Sequence, residues 1–359
     1  MIGDSPFSRL FVGLEVTRRC TSRCPHCYTA SSPTASQPDP PGETLGALCE
    51  ALARAGVRKA AFSGGEPLLR ADLEPVMRRG MAAGLRGFGL VTNGHLLDRA
   101  RAQSLRRAGL GSAQVSIDGA DAADHVAVRG GSPADYYQAL RAVRLLREAG
   151  VMVQIAALVT PRNIVRFDEL LRLAEALGVD SLRFCSFVPA GRAAAPAVRR
   201  RLQASPEQLD LFITRFRAAA RDEGYPCRLL LDHGIGPWAE DGRFTCVAGE
   251  RVAYVTGDGR LYPCPGLLFP PFAQGWLFRS AAPGEPPTVA ADLVEQLGAL
   301  STSPARRLPR ADLAAPCGTC PSTSCSGGCR GAAFAATGEV TGAPSYCAVA
   351  RARHAEPAS

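Results

Sequence analysis

Aromatic residues are scarce in this 359-residue chain, at 6%, and tryptophan occurs only twice. No basic helix carries interleaved rings, so the net charge of +8 does not amount to a nucleic-acid-binding surface. The basic residues are largely arginine, as in VRRRL (198–202) and ARRLPR (305–310), and read as a solvated face. Long apolar runs are also missing. VMVQIAALV (151–159) is among the longest and falls well short of the roughly 20 residues a membrane span needs. It reads as a buried strand, and no membrane partner is expected. The opening MIGDSPFSRL lacks the basic stretch and apolar core of an export signal, so a cytoplasmic location is expected.

Cysteine, by contrast, is plentiful. There are 13, and in a cytosolic chain clustered cysteines point to metal before disulfides. Three fall in CTSRCPHCYTA (20–30), seven lie from Cys246 to Cys347, and Cys49, Cys185 and Cys227 stand alone.

Between residue 10 and about 233 short apolar runs alternate with amphipathic helical ones. Strands are expected at 10–17, 59–65, 87–94, 112–119, 151–160 and 181–188. Helices follow at 44–55, 72–84, 96–108, 135–149, 164–177 and 206–223. Six such units in series imply an α/β fold with a parallel sheet and right-handed crossovers. Small and polar residues gather where the strands end: Thr17, Ser63 to Gly65, Thr92 to Gly94, Ser116 to Gly119, Thr160. Reactive groups of (β/α) barrels collect at that end, so an incomplete (β/α)6 barrel over 1–235 is the expected architecture. Beyond about 240 the helical period fades. RVAYVTGDGRLYPC (251–264) reads as a hairpin, a helix is plausible at 290–300, and a small cysteine-rich domain is expected over 236–359. With few large apolar residues in 317–347, that segment needs metal staples.

Cys20, Cys24 and Cys27 form CxxxCxxC directly after the first strand. A structural zinc would want a second pair or an opposed histidine, and His26 lies between the ligands instead. An iron–sulfur cube on three thiolates leaves one iron open to an exogenous ligand. The motif, at this place in an incomplete barrel, resembles the radical S-adenosylmethionine superfamily. The resemblance implies that S-adenosylmethionine chelates the open iron and is cleaved to a 5′-deoxyadenosyl radical. SGGEP (63–67) resembles the family's GGE motif, in which Gly64, Gly65 and Glu66 hold the methionine ammonium. VTNG (91–94) and SIDG (116–119) match the next strand ends, where Asn93, Ser116 and Asp118 are implied to reach methionine or ribose. HVAVRG (125–130) resembles HDxxRG with Val126 in place of the acid, which makes Arg129 the implied partner of the methionine carboxylate. His26 takes the position near adenine.

The C-terminal cysteines resemble the SPASM extension, which carries two auxiliary [4Fe–4S] clusters for a total of three. By that resemblance Cys317, Cys320, Cys325 and Cys347 hold the distal cluster, and Cys246, Cys264 and Cys329 the proximal one. Four residues, 321–324, stand where the family has five. The proximal set has three evident ligands; Cys227, another side chain or substrate is the candidate fourth. Two zinc sites on the same cysteines, in a non-enzymatic interaction module, are the alternative.

Cys49 reads as a packed helix thiol. Cys185 lies in the sixth strand and is a candidate hydrogen-atom donor if it points inward, which alternation alone does not decide against Phe184 or Ser186. Asp232 and His233 are weaker candidates for substrate contact or proton removal. The resemblance implies either maturation of a ribosomally made peptide or a small-molecule epimerase or dehydrogenase, with flavodoxin or ferredoxin as electron donor. Only nineteen residues precede Cys20, so a separate leader-peptide recognition protein is expected for a peptide substrate.

Overall fold

The computed structural model describes residues 5–222, 224–232, 246–282, 284–303, 308, 310–320 and 328–344. Its strands are β1 (Phe11–Thr17), β2 (Lys59–Gly64), β3 (Gly87–Thr92), β4 (Leu110–Ser116), β5 (Met152–Leu158), β6 (Ser181–Cys185), β7 (Arg228–Leu231), β8 (Val252–Val255), β9 (Arg260–Tyr262), β10 (Gly275–Trp276), β11 (Phe278–Arg279) and β12 (Thr288–Val289). The α-helices are α1 (Gly42–Ala55), α2 (Leu73–Ala83), α3 (Arg99–Ala108), α4 (Ala122–Arg129), α5 (Pro133–Glu148), α6 (Pro161–Val165), α7 (Phe167–Leu177), α8 (Pro196–Leu202), α9 (Pro206–Ala220), α10 (Leu293–Ala299) and α11 (Arg330–Thr337).

Strands β1 to β7 stand side by side in chain order, all parallel, as a partial barrel. Each strand has two faces of different character. On β1, Val12, Leu14 and Val16 join the helix-covered core, while Gly13 and Glu15 take the other side by the two-residue alternation. Helix α1 answers with Leu45, Leu48, Cys49 and Leu52, all buried, and each such leucine contributes about 2 kcal/mol. Cys49 is thus a packing residue, as expected. A second knot of this core is aromatic: Phe184 of β6 meets Phe167, Phe212 and Phe216 at centroid distances of 5.3, 5.1 and 6.0 Å.

The structure adds helix α8 and a seventh parallel strand, β7, to the six expected units, and three further features differ from the expected pattern. The 112–135 interval contains the extra helix α4, started by the Asp121 side chain accepting from Asp124 N. The stretch 164–177 is two helices, α6 and α7, with Arg166 between them outside the α-helical region at φ −97°, ψ 29°. The hairpin β8–β9 forms as expected, yet β8 also pairs in parallel with β1, so the sheet runs across residue 235. Glu15 Oε1 fixes that junction, accepting from Gly257 N at 3.0 Å and from Arg18 Nε at 2.9 Å.

Candidate active site

The three-cysteine loop leaves the end of β1 and is held from several sides. Cys20 N donates to Ser32 O, and Arg192 N donates to Cys27 O. The Arg192 guanidinium reaches Cys24 O at 2.9 Å and Ser31 O at 2.7 Å. From below, Gly65 N donates to Thr17 O and Glu66 N to Arg19 O. Gly64 and Gly65 are obligatory for this approach: an added Cβ would lie 2.2 Å from Thr17 O and 2.1 Å from Arg19 O respectively.

Glu66 has a task that its motif did not disclose. It is fully buried, and its carboxylate accepts from Leu68 N at 3.0 Å, Thr92 Oγ1 at 2.7 Å and Asn93 N at 2.8 Å. These bonds make Glu66 a clamp between the ends of β2 and β3. Asn93 likewise turns to protein. Its Nδ2 donates to Thr21 Oγ1 at 2.9 Å and Ser22 Oγ at 3.2 Å, and lies 3.8 Å from Cys20 Sγ. Through these bonds it orders the cysteine loop.

Asp118, Arg129 and His26 do come together. Arg129 Nη1 donates to Asp118 Oδ2 at 2.8 Å, and His26 Nε2 is 4.0 Å from the same oxygen. His26 Nδ1 faces Val128 O at 3.3 Å. Burial opposes the Asp118 charge, but Arg129, His26 and the Leu158 N–H outweigh it and hold the carboxyl below its ordinary value. Ser116 is half-buried at the end of β4. Beside this group a cavity of about 180 Å³ is lined by Thr21, Ser22, His95, His125 and Arg129, among others. His125, buried and accepting from Asp118 N through Nδ1, has its pKa pushed down to about 4 by burial and then by Arg129.

The thiols fit an iron–sulfur cluster. Burial pushes Cys20 up to about 11 and raises Cys24 too, while Arg129 pulls both down. Metal ligation removes that burial penalty, because the thiolate charge is then neutralised. Ser22 N donates to Cys20 Sγ at 3.4 Å, a bond that favours the thiolate. Among the described residues no three His, Cys, Asp or Glu side chains converge as a single-ion site. A cubane seats each thiolate on its own iron, so its donors surround a volume instead of meeting at a point.

Cys185 points inward. Leu182 and Phe184 are buried against helices, which leaves Arg183 and Cys185 on the interior face. Arg183 Nη2 donates to Asp232 Oδ1 at 2.9 Å, and Ser186 Oγ lies 3.4 Å from Asp232 Oδ2. Burial, then Asp232, pushes the Cys185 thiol up to about 12. Nothing in LRFCSFVPAGR marks off Arg183 and Arg192 among the abundant arginines of the sequence; only the fold shows what they hold.

Cys246, Cys264 and Cys329 lie close enough to feel one another's charge, and Cys329 also feels Asp232. Cys264 and Cys329 each precede a helical turn whose N–H groups aim at the sulfur. Cys317 and Cys320 share a turn, Cys320 N donating to Cys317 O. Cys325, Cys347 and His233 lie outside the described residues. Cys227 is placed apart from the cysteine loop. It sits at the start of β7, the far end of that strand from the cysteine loop, and packs into the main core.

No helix among the described residues is long and apolar enough to cross a membrane. The Radical SAM superfamily model matches residues 14–174. An AdoMet-dependent heme synthase of Methanosarcina barkeri is 28% identical, covering 94% of this chain and 95% of that protein. Another, from Oleidesulfovibrio alaskensis, is 35% identical, but the match covers 53% of this chain and 48% of that protein. The PqqA peptide cyclase of Gluconobacter oxydans is 30% identical over 71% of this chain and 72% of that protein. The solved structure of native anSMEcpe with bound AdoMet and Kp18Cys peptide shares the fold, with a TM-score of 0.72 at 18% identity over 94% of both chains. With the CxxxCxxC loop on the first strand of a partial barrel, these matches make the chain a member of the radical SAM superfamily, whose cofactors are S-adenosylmethionine and a [4Fe–4S] cluster.

Proposed function

We infer that this chain is a SPASM-type radical SAM oxidoreductase that matures a ribosomally made peptide. The observation that carries the reading is the open form of the sheet: β7 and β10 are its two ends and do not pair with each other among the described residues. An interior reached from the side suits an extended chain, which can also lie along an edge strand. The PqqA peptide cyclase relative supports the same substrate class.

S-adenosylmethionine and its cluster, when bound, supply the one-electron chemistry that removes a hydrogen atom from substrate. Cys20, Cys24 and Cys27 would hold the cluster, Arg129 and Asp118 would orient the methionine end, and His26 would lie near the adenine. Cys246, Cys264 and Cys329 would hold the proximal auxiliary cluster, and Cys317 and Cys320 part of the distal one, within a domain proposed over 236–359. Flavodoxin or ferredoxin would supply electrons, and a separate protein would present the peptide.

A second reading is a small-molecule substrate. The end-to-end match to the Methanosarcina barkeri heme synthase favours it, and the inward thiol of Cys185 suits a hydrogen-atom donor. Anaerobic reconstitution tests the shared chemistry: about twelve irons per chain and 5′-deoxyadenosine under dithionite support it, and bound zinc without cleavage overturns it. Mass spectrometry after incubation with peptides encoded near the gene, and in parallel with an iron porphyrin, separates the substrates.

A further inference from the structure

Apart from Lys59 at the exposed start of β2, the interior wall of β2 to β5 is lined with small and neutral residues: by alternation Ala61 and Ser63, Gly89, Gln114 and Ser116, Gln154 and Ala156 share that face. On β6 the pattern breaks with Arg183. Its register neighbours are Ala156 on β5 and Leu230 on β7, neither of which competes for its charge. The Arg183 side chain keeps 36% exposure although it stands inside the sheet, and its Asp232 partner keeps 31%. A guanidinium has five N–H donors, and among the described residues Asp232 is the only oxygen acceptor that Arg183 reaches. Asp232 is more committed, since its second oxygen also meets Ser186 Oγ. Two residues along β6, on the same face, lies Cys185.

We propose that Arg183, oriented by Asp232, binds a carboxylate of the substrate and places the adjoining carbon beside the Cys185 thiol. The fork geometry matches a carboxylate in two parallel hydrogen bonds, and Asp232 fixes the plane of the fork in advance. Asp232 holds one edge of the guanidinium, and the 36% exposure of the Arg183 side chain leaves it accessible to a second anion. The substrate is thus acidic at the group next to the reacting carbon, as an acidic side chain of a peptide would be. The inference rests on the reading that substrate enters the barrel interior, but its test needs no turnover.

The test uses the reconstituted holoenzyme and a matched pair of thiol reagents, iodoacetate and iodoacetamide, with the Cys185 adduct quantified by peptide mass spectrometry. Each forms an S–C bond at Cys185 with loss of a proton and iodide; only one carries a carboxylate. Relative to the same pair reacting with a small thiol, iodoacetate is expected to gain about tenfold over iodoacetamide at Cys185. Arg183→Gln should remove that preference, and Arg183→Lys should restore only part of it. Equal reaction with both reagents in the native enzyme overturns the proposal. So does a failure of both to reach Cys185, because guanidinium and thiol would then not share an open site. If the preference is present but no peptide is modified, the carboxylate site stands and the peptide reading alone falls.

Discussion

Cys20, Cys24 and Cys27 leave the end of β1 in a loop gripped by the barrel, whereas Cys246, Cys264 and Cys329 come from three separate short elements. The first loop accepts hydrogen bonds from Arg192 and Asn93, donates one from Cys20 N to Ser32 O, and packs on the backbone of Gly64 and Gly65. The second set has a small aromatic support, in which Phe334 of α11 meets Phe269 and Phe272 at 4.8 Å each. Protein contacts prepare the first site before any metal arrives. At the second, on the proposal that it holds an auxiliary cluster, metal would supply much of the order, because the apolar area available there is small.

The sharpest break would come from deleting one thiol on each side. Cys24→Ala should lower reductive cleavage of S-adenosylmethionine by roughly a thousandfold or more, yet shift the melting temperature of the barrel little. Cys264→Ala should instead cost iron and thermal stability together, with protease sensitivity appearing after residue 246. Similar thermal losses in both variants, read by calorimetry of the reconstituted proteins, would erase the contrast. Next in size is Gly65→Ala. Its Cβ would meet Arg19 O, a backbone atom with no freedom to withdraw, so about 3 kcal/mol or more of stability should go with the loop. A denaturant midpoint unchanged by that substitution would mean the loop is softer than this packing requires.

The barrel was legible because its signals are local and repeated: apolar strands, amphipathic helices, polar strand ends. CxxxCxxC could be placed on it by its position after the first strand, and GGE by its resemblance to the family motif at the end of the second. The tasks of Glu66 and Asn93 could not, because each depends on which neighbour the folded chain brings within 3 Å, and Thr92 and Thr21 are distant in sequence. Cys185 shows the same limit at one residue. Its direction is settled by Phe184 joining Phe167, Phe212 and Phe216, a choice made by helices α7 and α9 rather than by β6. The pairing of β8 with β1 was equally hidden, since a hairpin's own residues do not name a third strand.

Acid separates the two regions in a different way. Burial and Arg129 hold His125 neutral with its pKa pushed down to about 4, against about 6.5 in an unfolded chain. Its stabilising contribution is whole above about pH 6.5 and declines as the pH falls through that value toward 4. The loss then amounts to about 3 kcal/mol. The described histidines His26, His95 and His125 all lie by the first site. Hydrogen exchange between pH 7 and pH 4.5 should therefore loosen α4 and the end of β4 before β8 and β9. His125→Gln should flatten the acid limb of the barrel's stability curve; an identical limb in that variant would move the cause elsewhere.

The smallest effect tests how the first loop is gripped. Arg192→Ala removes the donors to Cys24 O and Ser31 O, worth about 1–2 kcal/mol together for a half-buried side chain. The loop would still form, since Gly65 N, Glu66 N and Asn93 continue to hold it from the barrel side. The sensitive readout is the rate at which a chelator strips iron from the reconstituted protein. Iron at the first loop should leave about tenfold faster, a change that 1.4 kcal/mol produces, while iron at the second set leaves at its native rate. That outcome would make the first site more like the second in the one respect that distinguishes them, the share of its order supplied by protein. An unchanged rate would place the grip in the strand ends alone, with Arg192 serving only to hold its own segment, residues 190–195, against the loop.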